Sequence, residues 1–95
     1  MKTTKRQTER MVRALVGAAY ILQTCDGNEE RAQEAKQRLW NYVDAWRLID
    51  VELPDVTLIV SAMKEAYYVT FRGEAIHKAS AVKRYVYEKY MNGRI

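Results

Sequence analysis

The sequence predicts an all-α fold: a compact bundle of four helices at about 4–25, 29–50, 55–71 and 74–91, with antiparallel neighbours. Three observations point there. Apolar residues recur three and four positions apart through each long segment, which places them on one helical face. The only proline, Pro54, and three of the four glycines fall at or near segment boundaries. Apolar residues make up 48% of the 95-residue chain and charged residues 29%, a balance that supports one folded domain, 1–95, and argues against disorder.

The first helix opens at "TKRQ", where Thr4 and Gln7 fit a capping box. Met11, Val12, Leu15, Ala18, Ala19 and Leu22 follow at helical spacing. Residues 14–22 carry no charge, and Gly17, Ala18 and Ala19 read as a place where another helix approaches closely. "CDGN" ends the segment: Gly27 suits a left-handed residue, and Asn28 can cap the next helix. Asp26, Asn28 and Glu30 faintly imitate a calcium loop, but Arg31 stands where such a loop needs glycine.

The second helix is the most regular. Ala32, Ala35, Leu39, Tyr42, Trp46, Ile49 and Leu53 form an apolar seam, and Glu29 and Glu30 complement the helix dipole. Pro54 removes a backbone donor and biases Leu53 away from helical angles, so the helix should end near Asp50. The third helix starts at Pro54 or Asp55 and carries Val56, Ile59, Val60, Met63, Tyr67 and Phe71 on one side. A second apolar line, Leu58, Ala62 and Val69, lies opposite, leaving Thr57, Ser61, Lys64 and Tyr68 as a polar strip. A helix so apolar all round should be central to the core or be covered by a second subunit. After "RGE", the fourth helix lines up Ala75, Ala79, Val82, Val86 and Tyr90, with Ile76 and Tyr87 beside them, and stops at Asn92 and Gly93.

Composition narrows function. The lone Cys25 excludes an internal disulfide and suits a reducing compartment. The start "MKTTKRQTER" is basic, but the apolar run Met11–Leu22 lacks a cleavage pattern and is too short to span a membrane. We therefore expect a soluble, cytoplasmic protein without a secretory leader. Catalytic parts are few. His77 and Cys25 are single residues in different helices, and no phosphate loop, nucleophile elbow or metal-ligand spacing is present. No enzyme, cofactor or metal site is expected.

The net charge of +4 is distributed in blocks: basic through residue 25, acidic from 26 to 55, and basic again from 56 onward. Lys2, Arg6, Arg10 and Arg13 fall near one side of the first helix, a spacing able to track phosphates. The fourth helix adds Lys78, Lys83, Arg84 and Lys89, among tyrosines available for stacking. Ten aromatic residues also suit a protein interface, where tyrosine, tryptophan and arginine are enriched. Lys78, Arg84, Tyr85 and Lys89 of the fourth helix form the leading candidate contact with a partner protein. Trp40, near Lys36, Asp44 and Arg47, is another, although its position beside the seam favours a core-edge aromatic.

The leading expectation is a non-enzymatic interaction protein, a regulator or inhibitor that occludes a partner protein, with a homodimer as one way to cover surplus apolar surface. Small helical proteins without cofactors are a common format among phage and mobile-element inhibitors, an analogy of format alone. The alternative is a nucleic-acid-binding regulator that uses the basic faces of the first and last helices.

Overall fold

The computed structural model describes residues 4–25, 27–73 and 79–93, with side chains at all of these except 68–73. Four helices make up the fold: α1 (Lys5–Gln23), α2 (Glu29–Leu48), α3 (Val56–Gly73) and α4 (Ala79–Met91). No strand occurs among the described residues. Ala75, Ile76, His77 and Lys78, assigned above to the start of the fourth helix, lie outside the described residues, as does Lys2.

Local chemistry sets most of the boundaries. At α1 the capping box is complete: the Gln7 N–H donates to Thr4 Oγ1 at 3.1 Å, and the Thr4 N–H donates to Gln7 Oε1 at 2.9 Å. Gly27 is left-handed (φ 78°), and Asn28 Oδ1 accepts the Arg31 N–H at 3.0 Å to start α2. The second helix stops at Leu48, two residues before the expected end. Asp50 there adopts a left-handed φ of 52°, a conformation Asp tolerates better than most residues. Asp55 then caps α3, its Oδ1 accepting the Leu58 N–H at 3.1 Å. Gly93 (φ 67°) follows the end of α4.

Among the described residues helix α1 is the hub: it packs against α2, α3 and α4, whereas α3 meets α1 and α4. The third helix supplies Ile59, Ala62, Met63 and Ala66 to the core, while α1 has the most helix neighbours. The uncharged half of α1 is explained by its three neighbours, which bury Met11, Val12, Leu15, Val16, Ala18 and Ala19. Of the second apolar line of α3, Ala62 is buried and Leu58 is exposed, while the Val69 side chain lies outside the described residues. Gly17 is not a point of close approach either: a Cβ there would meet nothing within 4 Å.

Directions follow from which ends meet. Gln7, Arg10 and Met11 of α1 border Trp46, Ile49 and Val51, so α1 and α2 are antiparallel. The Asp55 N–H donates to Tyr90 Oη at 2.7 Å, joining the start of α3 to the end of α4. Leu15, Ile59, Met63, Val12, Val82 and Val86 are fully buried and form the centre of the core. Each contributes about 1.5–3 kcal/mol of burial.

Consecutive helices α2 and α3 are the exception to neighbour packing. Among the described residues they make no contact with one another, and α2 rests on α1 alone. Its buried residues are Ala35 and Leu39 of the expected seam together with Val43, and Tyr42 and Trp46 of the seam pack against the core. Tyr42 and Trp46 are half-buried and stack at 5.5 Å between ring centroids, Ile49 is exposed, and Leu53 lies beyond the helix. The molecule is flat, 17 Å in its thinnest direction, less than two helix diameters.

Candidate functional site

Because α2 leans on α1 without reaching α3, a cleft opens between α2 and the segment that enters α3. The stripe Lys36, Trp40, Val43 and Arg47 forms one wall, with Leu39 beneath it. These four residues follow the spacing i, i+4, i+7, i+11, which aligns them on one helical face. Leu53, Pro54, Asp55, Val56 and Thr57 form the other wall. The cavity has a volume of about 390 Å³.

Trp40 is the anomaly of this surface. It is 60% exposed, which corrects the core-edge placement expected for it. A large indole held in water beside an apolar cavity forgoes burial worth roughly 1.5–3 kcal/mol. Leu39 and Val43, both buried, fix the height of the helix beneath it. The rim charge is mainly positive. Lys36 and Arg47 stand at the two ends of the stripe, about 16 Å apart along the helix axis. The one carboxylate on the opposite wall, Asp55, turns into the first turn of α3 as its cap. Asp44, expected near Trp40, is exposed and does not line the cavity.

The other predicted contact residues lie elsewhere. Tyr85 is exposed on the outer face of α4, with Lys89 Nζ 5.7 Å from its ring centroid. Arg84 pairs with Glu88 at 3.6 Å, an exposed i,i+4 contact worth a few tenths of a kcal/mol. Trp40 and this cluster belong to separate surfaces, since α2 and α4 make no contact among the described residues. Of the basic line on α1, Arg6, Arg10 and Arg13 are all exposed. Arg13 faces α4, its guanidinium carbon 5.1 Å from the Tyr87 ring centroid, while Arg10 borders the small cavity at the far end of α2.

Sequence reasoning found Lys36, Trp40 and Arg47 but missed Val43 and the wall from Leu53 to Thr57. The heptad-like spacing of Lys36, Trp40, Val43 and Arg47 was the available signal for Val43. Nothing local marks residues 53–57, whose position depends on α2 and α3 standing apart. Cys25 is a free thiol at the end of α1, its Sγ 3.1 Å from the Leu22 carbonyl oxygen. Among the described residues no group of three or more His, Cys, Asp or Glu side chains is placed to hold a metal ion. No helix among them is long and apolar enough to cross a membrane. No family model matches the chain, and neither a curated protein nor a solved structure gives a significant match.

Proposed function

We propose that this chain is a non-enzymatic helical interaction protein, a regulator or inhibitor that captures a partner protein in the cleft beside Trp40. The observation that carries this reading is the 60% exposure of Trp40 against an apolar cavity on the outer side of α2. A tryptophan pre-set on a helix loses little conformational entropy when a partner covers it, and such residues dominate interface energetics. The occupant is an amphipathic helix of another protein, because an apolar groove with basic residues at its ends suits an amphipathic helix with apolar anchors and acidic flanks. Apolar anchors of that helix cover Trp40, Val43 and Val56. Its carboxylates meet Lys36 and Arg47 at the ends of the stripe. The exposed Tyr85 face of α4 is a secondary contact in this reading.

Selection from a displayed library of helical peptides tests the proposal. Expected winners carry apolar residues at i, i+4 and i+7 flanked by acidic ones, and Trp40→Ala lowers their affinity at least tenfold. Because Trp46 is held in the stack with Tyr42, the fluorescence change on binding belongs to Trp40 and shifts to the blue. Winners that bind Trp40→Ala as tightly as the native chain would overturn the site. Light scattering supplies a second arm. A concentration-dependent dimer lost in Trp40→Ala would assign the groove to a second copy of this chain and reject a foreign helix.

A further inference from the structure

On the opposite side of α1 lies a second groove, bounded by Arg13, Val16 and Gly17 of α1 and by Lys83, Arg84, Tyr87 and Glu88 of α4, with a volume of about 430 Å³. From it we infer that the α1–α4 face binds the phosphate backbone of single-stranded nucleic acid, with Gly17 on the groove floor.

Three observations converge on this. The first is charge. The described part of α1 carries Lys5, Arg6, Arg10 and Arg13 against Glu9 alone, and α4 carries Lys83, Arg84 and Lys89 against Glu88 alone. Among the described residues, neither Arg13 nor Lys83 has a carboxylate in ion-pair range. Each instead lies over a tyrosine: Arg13 on Tyr87, and Lys83 Nζ 5.7 Å from the Tyr20 ring centroid. These contacts hold both cations at the groove and leave their charge uncompensated. Arg6, seven residues before Arg13 and so near the same side of α1, is exposed and can meet a phosphate beyond the groove.

The second observation is Gly17. A glycine in the middle of a helix weakens it, and close packing is the usual reason to keep one. Here a Cβ would meet nothing within 4 Å. The groove floor at Gly17 therefore has open space above it, where an introduced carboxylate would face the bound phosphates.

The third observation separates nucleic acid from an acidic peptide. A peptide helix anchors on apolar side chains, and here Val16 is only 2% exposed while the rings of Tyr20 and Tyr87 already lie under cations. Phosphates need only cations. A second cavity, lined by Ser80, Ala81, Arg84, Tyr85 and Glu88, shares Arg84 and Glu88 with the first. A strand that crosses Arg84 therefore reaches Tyr85, whose ring is 52% exposed and available to stack on a base.

The test is fluorescence anisotropy of a labelled oligothymidylate with the full chain, repeated at several salt concentrations. About three phosphate contacts give a log–log salt slope near −2, so a tenfold rise in salt weakens binding roughly 100-fold. Arg13→Ala and Lys83→Ala should each flatten the slope by about 0.7. Gly17→Glu places a carboxylate in open space and should reduce affinity at least tenfold while circular dichroism stays helical. Gly17→Ala should bind within about threefold of the native chain, a negligible loss on the scale of 1.4 kcal/mol per tenfold. Trp40→Ala should bind the oligonucleotide like the native chain, which keeps this inference separable from the peptide-binding proposal. Absence of binding at about 20 mM salt would overturn the inference. So would a folded Gly17→Glu that binds normally, or a polyglutamate that competes as well as the oligonucleotide.

Discussion

Two residues stand out when each side chain is weighed against its surroundings. Gly17 occupies a helix interior with space around it, so adding a methyl group removes unfolded-state freedom without steric conflict. Gly17→Ala should stabilise the chain by about 0.5–1 kcal/mol, or roughly 3–6 °C in Tm. A thermal melt monitored by circular dichroism measures this, and a lowered Tm would mean that the site cannot accept a Cβ. The two tryptophans make the complementary comparison. Trp40 is mostly in water, whereas Trp46 packs against the core and stacks on Tyr42. Trp40→Ala should therefore change stability by less than about 0.5 kcal/mol. Trp46→Ala should cost about 2 kcal/mol, below the full penalty for a buried tryptophan because it is only half-buried. Equal losses from both would remove the case for Trp40 as a residue kept for binding.

Among the elements, α3 has the most informative start. Its first turn is capped from within by Asp55 and tied from outside by Tyr90, whose hydroxyl accepts the Asp55 N–H from 35 residues away. Tyr90→Phe leaves the ring in place and removes that acceptor, so stability should fall by about 1 kcal/mol. Tyr85→Phe should have no measurable effect, because the Tyr85 ring lies largely in solvent on the outer face of α4. Urea titration separates the two: the Tyr90→Phe midpoint moves while the m value holds. This pair also marks the limit of what the sequence makes legible. The Thr4–Gln7 box, the Asn28 cap and the left-handed Gly27 and Gly93 could be read directly, because each is written in neighbouring residues. The Tyr90–Asp55 bond and the Arg13–Tyr87 and Lys83–Tyr20 pairs could not, because they arise only after helices are placed. For the same reason the apolar perimeter of α3 suggested a central helix. Periodicity reveals that a face is covered and leaves open which neighbour covers it.

At the scale of the whole molecule, the packing is unequal. Helix α1 touches every other helix, and α1, α3 and α4 share the innermost residues Leu15, Ile59, Met63, Val82 and Val86. By contrast, among the described residues α2 packs on α1 alone, through Ala35, Leu39 and Val43 with Tyr42 and Trp46 at the edge. Free energies of opening track the amount of buried contact, so α2 should open as a unit while the other three helices stay folded. Hydrogen exchange gives the direct measure: amides of α2 should exchange at lower free energy than those of Val12–Ala19 in α1. Ile59→Ala should lower protection throughout, with a global cost of about 2–5 kcal/mol. Val43→Ala should act mainly on α2. The cleft beside Trp40 exists because α2 lacks a second neighbour, so a helix bound there would supply one. Peptide occupancy should therefore slow exchange in α2 far more than in α1, and an oligonucleotide at the α1–α4 groove should leave α2 unchanged. Uniform protection of all four helices by the peptide would mean that α2 already belongs to the cooperative core, and the cleft would then be a fixed surface with no clamping role.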